Sequence, residues 1–339
     1  MKIATYNING IRSRLARLLE WLERETPDVV CLQELKAPDD VFPIAEIRAA
    51  GYGAIWKGQR SWNGVAILAK GSDPIGARRA LPGDDADHQS RYLEAAVRGI
   101  IVGCLYLPNG NPQPGVKFDY KLGWFERLIR HAQKLYSSGH PVVLAGDYNV
   151  VPTDFDIYNT RSWLKDALLQ PESRACYRRL LAQGWVDSIR HLHPDERIYT
   201  FWDYFRQHWQ RNAGLRIDHV LLNAELAPRL RGAGVDTWVR GQPGASDHAP
   251  TWITIGAARD AVGAKQGAAR KTAASRPHGA AKAGAATSGA AKPGTAKTRA
   301  AKTGTVKQPR RAAASAASRG GNAAGPAAKR ATRKKPSPR

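Results

Sequence analysis

A layered α/β fold is predicted by three features of this chain. Short apolar or β-branched runs bounded by turns recur along residues 1–256, amphipathic helical stretches fall between them, and the intervals are irregular. Compact apolar runs mark strands, and apolar recurrence at three and four residues marks helices. Irregular spacing favours sheets covered by helices over a repeating barrel.

Strands are expected at residues 3–8, 29–32, 64–68, 100–107, 141–145, 217–222 and 252–255. After the first, Leu15, Leu18, Leu19 and Leu22 line one face of a helix, with Arg14, Arg17 and Glu20 opposite. A longer helix is expected from Phe118, Leu122, Phe125, Leu128, Ile129, Ala132 and Leu135, stopped by Gly139-His140-Pro141. No internal repeat is evident.

Charge divides the chain. Of the formal net charge of +23, residues 1–256 carry about +4 and residues 257–339 about +19, Asp260 being the one acid of the second part. All 10 tryptophans lie in residues 1–256. The Ala-, Lys- and Arg-rich remainder has too little apolar surface to offset the entropy of ordering, so a disordered basic tail is expected at 257–339 beside a catalytic domain at 1–256. Cys31, Cys104 and Cys176 lack both a metal-binding spacing and an even count. The start of the chain has no apolar signal core, and no run reaches membrane-spanning length. A cytoplasmic, nucleoid-associated monomer without a membrane partner is the expectation.

Polar residues at strand ends carry the functional signal, because ligand sites collect where loops converge over a rigid sheet. Asn7, Glu34 and Asp147 each close an apolar run. Glu34 suits a hard cation such as Mg²⁺, or it is a cap or surface acid. Asp147 and Asn149 flank Tyr148 and share a side if the chain stays extended; an Asx-turn would explain Gly146-Asp147-Tyr148-Asn149 equally well. Asp218 offers a carboxylate to His248 in Ser246-Asp247-His248, which would fix the imidazole tautomer and raise its pKa.

These stretches, with Ala4-Thr5-Tyr6-Asn7-Ile8-Asn9-Gly10, Leu32-Gln33-Glu34-Leu35-Lys36, Leu105-Tyr106-Leu107-Pro108-Asn109-Gly110, Thr200-Phe201-Trp202 and Leu215-Arg216-Ile217-Asp218, resemble the exonuclease III family of abasic-site endonucleases within the DNase I-like phosphodiesterases. Trp62-Asn63-Gly64-Val65-Ala66-Ile67-Leu68, residues 78–85 and Lys117-Phe118-Asp119-Tyr120-Lys121-Leu122 resemble its bacterial branch. The resemblance spans residues 1–256 and implies a four-layered α/β sandwich, two packed mixed sheets flanked by helices. It implies cleavage 5′ to abasic sites, 3′→5′ exonuclease action and 3′-end cleaning on double-stranded DNA with abasic sites or 3′ ends, using Mg²⁺ or Mn²⁺.

By the same resemblance, Glu34, Asn7 and Asp247 hold the metal, Asp147 activates water that Asn149 positions, and His248, oriented by Asp218, binds the scissile phosphate. Tyr106 and Asn109 contact phosphate or assist the leaving group. Phe201 and Trp202 line an apolar pocket for the base-less sugar. Residues 205–211, with Arg206 and Arg211, match no family motif and are either DNA-backbone contacts or solvated charges. The basic tail reads as a nonspecific polyanion binder whose contribution fades with salt. The alternatives are a nucleoid-binding protein of minor activity and a superfamily phosphodiesterase with another substrate.

Overall fold

The structure is a computed structural model and describes residues 1–257. The expected basic tail lies outside the described residues. In chain order the first strands and helices are β1 (Lys2–Asn7), α1 (Leu15–Glu25), β2 (Val29–Gln33), α2 (Ile44–Ala49), β3 (Tyr52–Lys57), β4 (Val65–Lys70) and β5 (Ile75–Arg78). Then come β6 (Tyr92–Val97), β7 (Ile100–Tyr106), α3 (Val116–Tyr136), β8 (Val142–Asp147), α4 (Pro171–Leu181), β9 (Val186–Asp187) and α5 (Ser188–Leu192). The last are β10 (Asp218–Leu222), β11 (Leu230–Val235), α6 (Thr237–Arg240) and β12 (Thr251–Ile255).

Two six-stranded mixed sheets form, ordered β11-β12-β1-β2-β4-β3 and β5-β6-β7-β8-β10-β9. Among the described residues only β1–β2 and β7–β8 pair in parallel. Each of these pairs is joined through a helix, α1 or α3, because parallel neighbours need a long crossover. The sheets bury their inner faces against each other through Ile3, Val29, Cys31 and Ile67 on one side and Leu93, Val102, Cys104, Val143 and Val220 on the other. Leu18, Trp21 and Leu22 of α1 cover the outer face of the first sheet. Trp124, Phe125, Leu128 and Ala132 of α3, with Tyr177 and Leu180 of α4, cover that of the second. The result is the expected four-layered sandwich. Each fully buried Leu, Ile or Phe contributes about 1.5–3 kcal/mol, and these side chains dominate the driving force.

All seven expected strands are present, with ends moved by a residue or two. Five more, β3, β5, β6, β9 and β11, were not expected. On α3 the buried face includes Lys121 and leaves Leu122 only half-buried, so a cation occupies a core position.

Close approach of β7 and β8 requires glycine at position 146. A Cβ there would stand 1.9 Å from the Leu105 carbonyl oxygen, backbone that cannot swing aside. Gly146→Ala should cost about 3 kcal/mol, the upper part of the overpacking range, read as a lowered midpoint in urea unfolding. Among the described residues no helix is long and apolar enough to cross a membrane.

Candidate active site

The register of the second sheet sets Tyr106, Asp147 and Asp218 abreast at the ends of β7, β8 and β10. The same edge of the first sheet carries Asn7, the last residue of β1, and Glu34, the residue after β2. The two sheets meet through Asn7, whose Nδ2 donates to Glu34 Oε1 at 2.9 Å and to Asp147 Oδ2 at 3.0 Å. Asn9, Glu34, Lys36 and Asn149 all have left-handed φ, between 46° and 52°. Backbone strain of this kind persists where surrounding contacts over-determine it, often at functional sites.

Asp147 is the centre of a convergent donor set. Its Oδ1 accepts from the Asn149 N–H at 2.8 Å, and its Oδ2 from Asn149 Nδ2 at 3.2 Å. Asn149 is turned toward it by two further contacts: its Nδ2 donates to the Leu107 carbonyl at 2.9 Å, and its Oδ1 accepts from Asn109 Nδ2 at 3.1 Å. Beneath both, the Lys121 ammonium donates to the carbonyls of Asn109 at 3.0 Å and Asn149 at 2.5 Å. Burial pushes Lys121 down to about 7. Burial pushes Asp147 up to about 7; Asp218 and Glu34 add to this, while His248 and the Asn149 N–H oppose it.

His248 donates from Nδ1 to Asp218 Oδ2 at 2.8 Å and leaves Nε2 3.9 Å from Asp147 Oδ2. Burial would lower its pKa, but the charge and hydrogen bond of Asp218, with Asp147 and Asp247, raise it to about 10. The ring is thus an imidazolium at neutral pH. Asp218 is held by Thr200, whose Oγ1 accepts from the N–H groups of Ile217 and Asp218, both at 3.1 Å. Phe201 bridges Leu215 and His248 in short antiparallel contacts and sets its ring 5.0 Å from the imidazole. Tyr106 is buried under the Arg91 guanidinium, 4.7 Å from the ring centre. Burial, Glu34 and Asp147 raise its phenol well above the ordinary value, so it remains a neutral donor.

Asp147, Asp218 and His248 bring three ligand atoms within 4.8 Å, a cluster able to hold a metal ion. This trio is not the expected set of Glu34, Asn7 and Asp247. Its imidazole is spent on Asp218 and protonated, so it suits proton handling better than ligation. Oxygen donors gather on the Glu34 side. Lys36 Nζ lies 2.9 Å from Glu34 Oε2 and 2.5 Å from Asn9 Oδ1, an ammonium where oxygens converge on positive charge. Asn9 Nδ2 in turn donates to Asp247 Oδ1 at 2.9 Å. Burial alone would raise Glu34, yet Lys36 and Asn7 bring it below its ordinary value. These hard oxygens fit a divalent cation, which would also relieve the crowding of Glu34, Asp147 and Asp218. The expectation for Asn7 changes: its amide nitrogen is committed to two carboxylates and its Oδ1 accepts from the Asn9 N–H at 3.1 Å, so it spaces the acids.

Trp202 also departs from its expected place. It is 2 % exposed, packs with Tyr199 and Ala249, and donates its indole N–H to Asn212 Oδ1 at 3.0 Å. The aromatic ring beside His248 is that of Phe201, while Trp202 packs in a separate cluster with Tyr199 and Trp209. Sequence reasoning passed over Asn9, Lys36, Arg91, Thr200 and Ser246, of which all but Arg91 stand inside the motifs already quoted. Ser246 Oγ donates to the Asn7 carbonyl at 2.7 Å and accepts from the His248 N–H at 3.2 Å, tying β1 to the histidine.

Carboxylate, amide and imidazolium aligned at one edge of two packed sheets define a hydrolytic enzyme of the phosphodiesterase class. The profile of the Endonuclease/Exonuclease/phosphatase family matches residues 4–248, and the chain belongs to that family. It is 35% identical over 266 residues to exodeoxyribonuclease III of Haemophilus influenzae, an alignment covering 74% of this chain and 98% of the relative. An abasic-site endonuclease from Archaeoglobus fulgidus superposes with a TM-score of 0.73 at 34% identity, covering 76% of this chain and 100% of that one. A 3′ phosphatase from Neisseria, solved with a product DNA hairpin, does so at 0.73 and 35%, with the same coverage.

Proposed function

We propose that this chain is a divalent-metal-dependent DNA-repair nuclease that cleaves 5′ to abasic sites and trims 3′ ends as exonuclease and phosphatase. The observation that carries the reading is the row Asn149–Asp147–His248–Asp218, facing Glu34 across the two sheets. The names of the relatives support DNA as the substrate.

Asp147, poised near neutrality, takes a proton from the attacking water, and Asn149 holds that water in line. The His248 imidazolium binds a non-bridging phosphate oxygen and stabilises the charge that grows there. Asp218 keeps the ring protonated and fixes its orientation. Tyr106, a neutral phenol at the same edge, donates to the phosphate or leaving oxygen. Glu34 and Asp247, with Asn9, and with Asn7 spacing the acids, would hold Mg²⁺ or Mn²⁺, which when bound neutralises charge on the phosphate and leaving oxygens. A water nucleophile removes the need for an activated Ser or Cys. Phe201 offers the apolar wall against which an extruded base-less sugar fits, extrusion being least costly where pairing is already lost.

Residues 1–256 are proposed to act as the catalytic domain and the basic tail as a DNA-affinity element, in a cytoplasmic monomer. A complete catalytic row argues against a nucleoid-binding protein of minor activity. The deciding experiment compares a defined abasic duplex with a recessed 3′ end, each with Mg²⁺ and with EDTA. Metal-dependent incision is expected, and an intact abasic duplex in Mg²⁺ would overturn the reading.

Asp218→Asn gives a pH prediction. Removing the negative partner lowers the His248 pKa, so the imidazolium is lost at a lower pH. The alkaline limb of the kcat/KM profile should move down by about a unit or more, since an adjacent opposite charge shifts a pKa by roughly 1–3. An unmoved limb would assign it to another group.

A further inference from the structure

A cavity of about 660 Å³ is lined by Tyr158, Trp163, Lys165, Phe205, Arg206 and His208, and none of the roles above uses it. Small-molecule sites span roughly 300–1,000 Å³, so it has room for a planar ring and its neighbours. It adjoins the catalytic row through Phe201: the side chains of Tyr158, Trp163 and Phe201 pack on one apolar cluster that includes Val151, Leu168 and Leu215. Phe201 in turn sits 5.0 Å from the His248 ring. Its loop is the stretch at 205–211 that matched no motif.

Two observations point to a ligand. Phe205 is 74% exposed, an aromatic ring held out in water at the cavity wall. His208 is only 7% exposed and lines the same cavity, yet its Nδ1 has no hydrogen-bond partner among the described residues. That nitrogen has almost no exposed surface, and an unpaired buried nitrogen is costly, so the position favours a ligand toward which the imidazole can turn and pair. The two acids at the cavity are committed to backbone: Asp166 Oδ1 accepts from the Leu168 N–H at 2.9 Å and Asp203 Oδ1 from the Phe205 N–H at 3.0 Å. Lys165 and Arg206 bring positive charge to the same lining.

We propose that this cavity is a subsite for an unpaired nucleobase of the DNA strand being cleaved, at a nucleotide flanking the scissile phosphate. The base stacks against Phe205 and Trp163, its polar edge pairs with His208 Nδ1 once the imidazole turns toward the cavity, and Lys165 and Arg206 face the attached phosphate. Sequence-tolerant stacking with one edge contact selects for a base that is out of the duplex, without selecting which base. The proposal rests on the DNA-nuclease reading. It makes frayed, mismatched or gapped neighbours of a lesion better substrates than fully paired ones.

The test uses the full chain and two abasic duplexes that differ at one flanking nucleotide, which is either an unpaired 2-aminopurine or a base-less spacer. Wild type should show a KM about tenfold lower on the base-bearing duplex, the scale of one base on one aromatic ring, with kcat equal on the two. Phe205→Ala, a change at an exposed side chain, should erase that difference by raising KM on the base-bearing duplex alone. In EDTA, where binding is read without cleavage, wild type should quench 2-aminopurine fluorescence, and Phe205→Ala and Trp163→Ala should not. Equal KM values in wild type, an equal loss on both duplexes in Phe205→Ala, or absent quenching would overturn the subsite. Failure of wild type to cleave either duplex would remove the nuclease reading, and the subsite with it.

Discussion

Asp147→Asn is expected to lower kcat on an abasic duplex by about a thousandfold, the middle of the range for a positioned general base, with little change in DNA binding. The substitution keeps shape and size. It removes the one group at this edge that is both near neutrality in pKa and within reach of the imidazolium, 3.9 Å from His248 Nε2. The carboxylate also accepts three donors, from Asn7 Nδ2, Asn149 Nδ2 and the Asn149 N–H. An amide has one oxygen, so at least one donor loses its partner. Against that loss, a carboxylate is removed from a buried site beside Asp218 and Glu34, where its ionised form is disfavoured. In EDTA the melting temperature should therefore stay within a few degrees of wild type, and activity should fall without the fold. A variant that retains a tenth of wild-type kcat would move the base role to another residue; one that melts far earlier would make Asp147 a structural acid.

How much of this site is legible in the chain follows from where its information resides. Asn7, Glu34 and Asp147 close runs such as Val142–Asp147, whose burial is continuous, so an apolar stretch and its polar last residue can be read together, whereas Asp218 opens β10. The imidazole–carboxylate pair was readable because three candidate groups fall in two strand-edge motifs, although a single histidine is usually structural. Partner choice was not. That Asn7 bonds Asp147 as well as Glu34 depends on how the two sheets stack, which no local pattern encodes. Trp202 shows the same limit: a tryptophan after phenylalanine reads as pocket or core alike, and only the bond to Asn212 fixes its direction. The unexpected strands have their own reasons. All four residues of β5 are exposed, so no apolar period marks it. In β11 two glycines interrupt the pattern, because a Cβ at Gly234 would stand 2.7 Å from the indole of Trp252. Lys121 breaks the apolar face of α3 for a tertiary reason, the carbonyls of Asn109 and Asn149 above it.

Arg216→Met should destabilise the protein by about 3–5 kcal/mol at neutral pH, the cost of leaving buried charges without their partner. Arg216 is 1% exposed. Its Nε donates to Asp156 Oδ1 at 2.7 Å and its Nη1 to Asp187 Oδ2 at 2.7 Å, with His219 Nδ1 at 3.0 Å. The guanidinium therefore ties the loop carrying Asp156 and strand β9 to the first turn of chain before Asp218. Burial alone would raise both acids, yet Arg216 holds the Asp156 and Asp187 carboxyls below the ordinary carboxylate range. Folded values below the unfolded value of about 3.9 mean that this stabilisation is complete at neutral pH and is lost as pH falls through the folded values. Wild type should thus keep its urea midpoint down to about pH 4 and lose it below, and Arg216→Met should flatten that acid limb. Converting Asp187 to Asn in the Arg216→Met background should recover part of the loss, since Asp156 keeps Arg190 Nη2 at 2.7 Å while Asp187 is the acid left without an arginine partner. A single variant as stable as wild type would show that the clamp is dispensable, and Asp218 would then owe its position to Thr200 alone.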